Sequence, residues 1–504
     1  MDCNSLDDSL PLKLYRADQV RELDRLAIQQ YGIAGFTLMR RAGQATFDVL
    51  LAHYPQLPQQ TLTIFCGTGN NGGDGYVMAS LAVKHGIAVE VIQVGSGEKL
   101  TGDALQAKKR ADQDGVVSIP FAAELNIKDG VIIDALLGVG LSGDVRGEFA
   151  QAITLINAYA QPVVAVDIPS GICSDSGQVL GNAIVAEHTV TFIGIKQGLL
   201  SGSAPDYTGV IHYSDLAVPA EAFDTVAYAA DRLSLQGKGQ LLKPRSRIAH
   251  KGHFGHVMVV GGDAGMAGAA AMASQAALRV GAGLVSCATR PAHIAALVSR
   301  CPEVMVHGVI SGQEIEPILA GASVIVVGPG LGLHPWGEQL LQQVCQRDVP
   351  LVVDADALNI LADGRVVKHS KRDNWILTPH PGEAARLIGC STAEIQQNRF
   401  AAVAELQRRF GGVVILKGAG TLVADNIASH MGVCHFGNPG MATGGMGDVL
   451  SGVLGALLAQ GLSPSEAARL GVCIHAQAAD MAAKAGERGM AATDLIPFLR
   501  QVVN

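Results

Sequence analysis

With 504 residues, the chain is longer than one hydrophobic core ordinarily organises and predicts two or three domains. A net charge of −8 supplies no basic field for nucleic acid and no lysine-rich segment for an anionic membrane. Hydrophobic residues make up 48% of the chain and glycines number 61, an Ala/Val-rich texture that suits sheets wrapped by tightly packed helices.

The start, "MDCNSLDDSLPLKLYRADQVRELD", carries acids where a signal peptide needs positive charge. Gly, Pro or charge breaks every apolar run before the roughly 18 residues that a membrane helix needs. The nine cysteines are scattered and never form C-x-x-C, which argues against a disulfide framework or a structural zinc site. A soluble, cytoplasmic protein with reduced cysteines is expected.

Short β-branched runs then alternate with helical stretches: "TLTIFC", "AVEVIQVG", "GVIIDALLG", "PVVAVDIP" and "HTVTFIG". This is a βαβ rhythm. It lapses around residues 214–245, where a boundary is expected, giving domains 1–230 and 231–504. It resumes with "HVMVVGGD", "GLVSCAT", "SVIVVGPG", "PLVVDADA", "NWILTPH" and "GVVILKG". Two α/β domains with largely parallel sheets follow, without any recurring block of sequence. Ligands of such sheets sit beyond the carboxyl ends of strands, so the residues just after each run matter most.

In the first half, Gly67-x-Gly69-x-x-Gly72 and Gly138-x-Gly140-x-x-Gly143 each follow a strand. Neither is followed by the acid that a dinucleotide fingerprint places at the end of the next strand, so a plain NAD dehydrogenase fits poorly. Glycine loops at helix starts still let backbone N–H groups converge on phosphate, and two could hold a pyrophosphate. Otherwise they are tight turns. Asp134 ends "VIIDA", Asp167 ends "VVAVD" and Ser170 lies in the turn just beyond, with Asn71 facing them from the first loop. These hard oxygen donors suit an alkali or alkaline-earth cation; equally, the aspartates could cap turns.

In the second half, "VVILKGAGT" ends a strand in Lys417 and a glycine turn, a plausible polyphosphate cradle. "NPGMATGGMGDVLSG" sets Asp448 at the start of an apolar helix, behind the N–H donors of a glycine loop. That pairing fits phosphoryl transfer, in which the loop neutralises charge while the acid takes a proton from the attacking hydroxyl; a helix cap is the alternative. No Walker A motif is present. "PHPGE" holds His380 between two prolines, as a functional group or as part of a rigid turn. "HKGHFGH" has three histidines in a glycine loop, and metal binding there is not expected.

Taken in order, "GTGNNGGDG", "DIPSG", "GMAGAA", "GPGLG", "TPHPGE", "LKGAGT" and "NPGMATGGMGDVLSG" resemble the bifunctional NAD(P)H-hydrate repair enzymes over residues 10–500. In that family an NAD(P)HX epimerase is fused to an ADP-dependent NAD(P)HX dehydratase. The resemblance implies an N-terminal Rossmann-like three-layer α/β domain and a C-terminal ribokinase-like one. It implies that Asn70, Asn71, Gly72, Gly73 and Asp74, with Gly138, Val139, Gly140, Leu141, Ser142, Gly143 and Asp144, hold the damaged cofactor, and that Asp167 contacts it as acid/base. Asn71, Asp134 and Ser170 would bind K+. In the second domain Ala267, Gly330, His380 and Asp448 would face the hydrate, while Lys417, Gly418, Ala419, Gly420, Thr421 and Gly447 would hold the nucleotide, ADP, with Mg2+. The family's Gly-x-Gly-Asp element reads Gly-Met-Gly-Asp here, with the acid in place.

The implied chemistry is coherent. Hydrated nicotinamide carries a hydroxyl at C6, a poor leaving group. Asp448 would deprotonate it, ADP would yield its β-phosphoryl, and the ring nitrogen would expel phosphate to restore NADH or NADPH, leaving AMP. One epimer alone would be in line for this, so an epimerase on the same chain serves the other. The expected partners are the small molecules NADHX, NADPHX and ADP, with no nucleic acid and no membrane, in a homo-oligomer. The alternative is a ribokinase-like sugar or vitamin kinase fused to a non-catalytic Rossmann-like scaffold.

Overall fold

The structure, a computed structural model, describes residues 10–367, 371–428 and 430–504. The acidic residues 1–9, with Cys3, lie outside the described residues. The chain divides into two compact units, Met1–Asp231 and Arg232–Asn504.

In the first unit seven parallel strands lie in the order Ser118–Pro120, Ala88–Gln93, Thr61–Cys66, Gly130–Ala135, Val163–Val166, His188–Phe192, Val210–Ser214. The five β-branched runs of the sequence supply the five strands from Ala88–Gln93 to His188–Phe192. Ser118–Pro120 and Val210–Ser214, only partly buried, are added at the two edges. The chain steps to opposite sides of Thr61–Cys66 after it, so the crevice of the sheet opens between that strand and Gly130–Ala135. Helix Asn70–Lys84 begins there with "NNGGDG", a poor helical start on propensity alone, each glycine costing about 1 kcal/mol against alanine. Close packing offsets this: a Cβ on Gly72 would lie 2.1 Å from the Gly67 oxygen, and one on Gly75 2.7 Å from the Cys66 sulfur.

The second unit repeats this plan. Its strands run Met305–Gly308, Leu284–Thr289, His256–Val260, Val324–Val327, Leu351–Val353, Trp375–Leu377, Val413–Leu416, Thr421–Ala424, Met431–Cys434. The first seven are parallel and the last two antiparallel, joined through the "KGAG" turn and the segment after Ala424. Helix Met446–Ala459 packs on helix Ala267–Val280 so closely that a Cβ on Gly452 would lie 2.1 Å from the Ala273 oxygen. Small residues are therefore spent on bringing the Asp448 helix against the sheet.

Among the described residues no helix is long and apolar enough to cross a membrane. The cysteines among them are free, with Cys66, Cys287, Cys301, Cys434 and Cys473 buried.

Candidate active sites

In both units the first strand ends in a glycine that admits a carbonyl from across the crevice. A Cβ on Gly67 would lie 1.9 Å from the Leu136 oxygen, and one on Gly261 2.0 Å from the Pro329 oxygen. The loops that flank each crevice are thus locked backbone to backbone.

In the first unit this crevice opens into a cleft of about 720 Å³. Asn70, Asn71, Asp74, Gly138, Val139, Gly140, Leu141, Ser142 and Asp167 line it. Gly72 and Gly73 are buried in the helix instead, where they allow close packing, and Gly143 and Asp144 lie outside the lining. A Cβ on Gly69 or Gly140 would meet nothing within 4 Å, so the backbone there is open to a ligand. Helix Ala17–Gln29 reaches the second loop through Arg21, which donates to the Val139 carbonyl at 2.8 Å.

Asp167 follows strand Val163–Val166 with φ of 69°, a left-handed turn that Asp tolerates better than most residues. Its carboxylate is ion-paired with Lys196, whose ammonium also donates to Thr191 Oγ1 at 3.0 Å and the Phe192 carbonyl at 3.2 Å. The lysine is fully buried, held in a short strand beside Lys13–Tyr15 with Tyr15 opposite it. Asp74, buried on the facing helix, has its carboxyl pushed well up, first by burial and then by the charges of Asp167 and Asp24. Asp24 is raised by burial, Asp103 and Asp167. The cleft therefore joins an ion-paired carboxylate to a carboxyl whose hold on its proton is strengthened, the arrangement from which acid–base pairs are made.

Asp134 and Ser170 meet directly. Ser170 donates to Asp134 through its backbone N–H at 2.7 Å and its hydroxyl at 2.6 Å, and Leu136 N–H adds a bond at 3.2 Å. Burial nevertheless raises Asp134 to about 6. Asn71 lies in the first turn of helix Asn70–Lys84, with a buried Nδ2 that has no hydrogen-bond partner.

In the second unit Asp448 is the third residue of helix Met446–Ala459, entered through Gly445 at φ of 95°. Burial, then the charge of Asp354, then that of Asp356 push its carboxyl up to about 7, against the pull of Lys417. Lys417 is committed elsewhere. Its ammonium lies 2.8 Å from Asp354 Oδ1 and 3.8 Å from Glu383 Oε2. Ser451 donates to the other oxygen of Asp354 at 2.7 Å. These partners hold the buried Asp354 below the usual carboxylate range despite the opposing effect of burial. Gly447 leaves room at this pair, since a Cβ there would lie 3.1 Å from the Lys417 nitrogen.

The "KGAG" turn is braced from beneath by buried Arg399, whose guanidinium donates to the Leu416 carbonyl at 3.3 Å and the Gly420 carbonyl at 3.3 Å. Gly418 and Ala419 are exposed above it, and Thr421 opens the next strand. His380 caps helix Pro381–Ile388: its Nδ1 accepts from Gly382 N–H at 3.0 Å, and burial, Lys417 and Arg386 lower its pKa. The proline-fixed turn therefore has a structural job, with half of the ring still exposed. Ala267 opens helix Ala267–Val280, and Gly330, at φ of 59°, receives the Asp263 N–H at 2.6 Å. Gly444 and Gly268 at the same rims have open space at Cβ.

Lys196, Asp354, Glu383 and Arg399 are site residues that the sequence reading passed over. A strand-end aspartate in "VVDAD" and a lone lysine in the apolar "FIGIKQGLL" were the available signals.

The chain matches the family of the NAD(P)H-hydrate dehydratase over residues 257–501 and that of the YjeF-related protein N-terminus over residues 35–198. It is 49% identical to the bifunctional NAD(P)H-hydrate repair enzyme Nnr of Coxiella burnetii, over 97% of this chain and 99% of that one. It is 44% identical to the enzyme of the same name from Escherichia coli, over 98% and 95%. Among solved structures, the ADP/ATP-dependent NAD(P)H-hydrate dehydratase from Bacillus subtilis, co-crystallised with ATP/Mg2+, is 26% identical, with a TM-score of 0.49 over 55% of this chain and 98% of that one.

Proposed function

The chain belongs to the family of bifunctional NAD(P)H-hydrate repair enzymes, and from that premise we propose how its two units divide the repair. Unit Met1–Asp231 interconverts the R and S epimers of hydrated NADH and NADPH. Unit Arg232–Asn504 dehydrates the S epimer with ADP, giving NAD(P)H, AMP and phosphate. The observation that carries this reading is Asp448, a carboxyl raised to about 7 in a glycine loop beside a lysine already paired to another acid. A base so poised takes the proton of the C6 hydroxyl at neutral pH. The hydroxyl oxygen then attacks the β-phosphorus of ADP and AMP leaves; the nitrogen lone pair expels phosphate to give the iminium, and loss of a C5 proton to the departing phosphate re-forms the ring double bond. Lys417, Gly418, Ala419, Gly420, Thr421 and Gly447 hold the nucleotide; Ala267, Gly330 and His380 face the hydrate. Magnesium arriving with the nucleotide would be held through the phosphates with half-buried Asp356 nearby, and would screen their charge.

In the first unit Asp74 and Asp167 act as the acid–base pair. The protonated Asp74 donates to the departing C6 hydroxyl, the ring nitrogen supports the resulting iminium, and Asp167 accepts a proton from the water that returns on the other face. Asp134, Ser170 and Asn71 offer oxygens suited to a weakly hydrated monovalent ion. Potassium at this place would add positive charge near the substrate phosphates.

The test incubates the protein with mixed epimers of hydrated NADH and ADP, following both epimers by chromatography and phosphate by colour assay. Both epimers are consumed and phosphate is released free; a phosphorylated product that persists makes the unit a kinase and overturns the reading. With potassium replaced by a bulky organic cation, the S epimer is still consumed while the R epimer lags. If epimer exchange is indifferent to potassium, Asp134 and Ser170 are turn caps alone.

A further inference from the structure

At the amino end of the first unit's sheet, away from the cleft, three histidines from separate parts of the chain converge. His53 ends helix Gly35–His53, His188 opens strand His188–Phe192, and His212 lies on Val210–Ser214. One ring nitrogen from each lies within 4.8 Å of the others. The ring centroids are 4.4 Å apart for His53 and His188, 5.1 Å for His53 and His212, and 5.1 Å for His188 and His212. His188 Nδ1 and His212 Nε2 stand 3.0 Å apart. Two nitrogens on a tetrahedral zinc, each bonded at about 2.0–2.1 Å, are separated by roughly 3.3 Å, so a small ring rotation converts this contact into a shared ligand edge.

We propose that His53, His188 and His212 bind one divalent transition-metal ion of the zinc class, which ties the carboxyl end of helix Gly35–His53 to the sheet. Nitrogen donors select such an ion over the oxygen-seeking cations of the cleft. The fourth position falls to water. Leu38, Met39 and Ala42 of the same helix line the cleft, so the ion would fix the far end of an element of the substrate site.

The experiment uses the full chain stripped with a chelator and titrated with ZnCl2 by calorimetry, with CoCl2 as a spectroscopic probe. The expected result is one zinc per chain in the tight phase, intense visible cobalt bands of a four-coordinate site, and a raised Tm. His53→Gln and His212→Gln each weaken this phase by about tenfold or more. His53 is exposed at a helix end, so its variant tests binding without endangering the fold. His253→Gln, in the tilted His250–His253 ring pair elsewhere, leaves the phase unchanged. The proposal is overturned if the wild type shows no one-to-one phase, or if His53→Gln and His212→Gln bind zinc as the wild type does.

Discussion

Asp167 and Asp354 hold equivalent places in the two units. Each follows the fifth strand of a sheet whose first five strands are laid out alike, and each is paired with a lysine from a later part of its unit, Lys196 or Lys417. From there the units diverge. In the first, the paired aspartate faces the cleft, and its charge adds to burial in raising Asp74. In the second, the pair is sealed by Ser451 and Glu383, and the reactive carboxyl is contributed by a later helix. A strand-end Asp–Lys pair thus recurs in both units, facing the cleft in the first and sealed as framework in the second.

The comparison is broken most sharply at Asp448. Asp448→Asn should lower dehydration of the S epimer by about 10²–10⁴, the usual worth of a positioned base, while epimer exchange continues at the wild-type rate. Single-turnover assays with ADP check this, and near-normal dehydration would return Asp448 to helix capping. Next in size is Lys196→Met. Removing one partner of a buried pair costs about 3–5 kcal/mol, and the partial exposure of Asp167 places this case at the low end. Scanning calorimetry should show the first unit melting earlier, with epimerisation impaired and dehydration at 25 °C retained; loss of both activities together would mean that the units do not function independently. The smallest effect is in pH. Because the Asp448 carboxyl titrates at about 7 and acts in its ionised form, dehydration should fall as pH drops through 7 and level off above it. The residual activity of Asp448→Asn should lack that inflection.

Much of this framework was legible because strand patterning is local. "TLTIFC" is strand Thr61–Cys66 residue for residue, and the rule that ligands gather beyond strand ends picked out Asp134, Asp167 and Ser170 before any coordinates. The Asp134–Ser170 contact then emerged at 2.6 Å. What stayed hidden is made by tertiary pairing. Lys417 reads as a phosphate ligand from its turn, but no local pattern signals its ion pair with Asp354, far back in the chain. Arg399 lies mid-sequence in a helical stretch with no sign that its guanidinium is buried under a turn. His53, His188 and His212 are too far apart for any spacing rule. The edge strands Ser118–Pro120 and Val210–Ser214 were missed because, partly exposed, they lack the continuous apolar run of the central ones.

The carbonyls seated against Gly67 and Gly261 set different limits on how each unit can evolve. Neither glycine has left-handed backbone, so the objection to any other residue is space alone, and alanine already exceeds it. In a mutational scan read separately for the two activities, Gly67→Ala should abolish epimerisation and Gly261→Ala dehydration. Gly69, Gly140 and Gly268, with nothing near their Cβ positions, tolerate alanine as far as folding is concerned. Selection on this chain is therefore strict at two points that never touch a reacting atom, and a lineage that loses one activity by drift can lose it through a single methyl group.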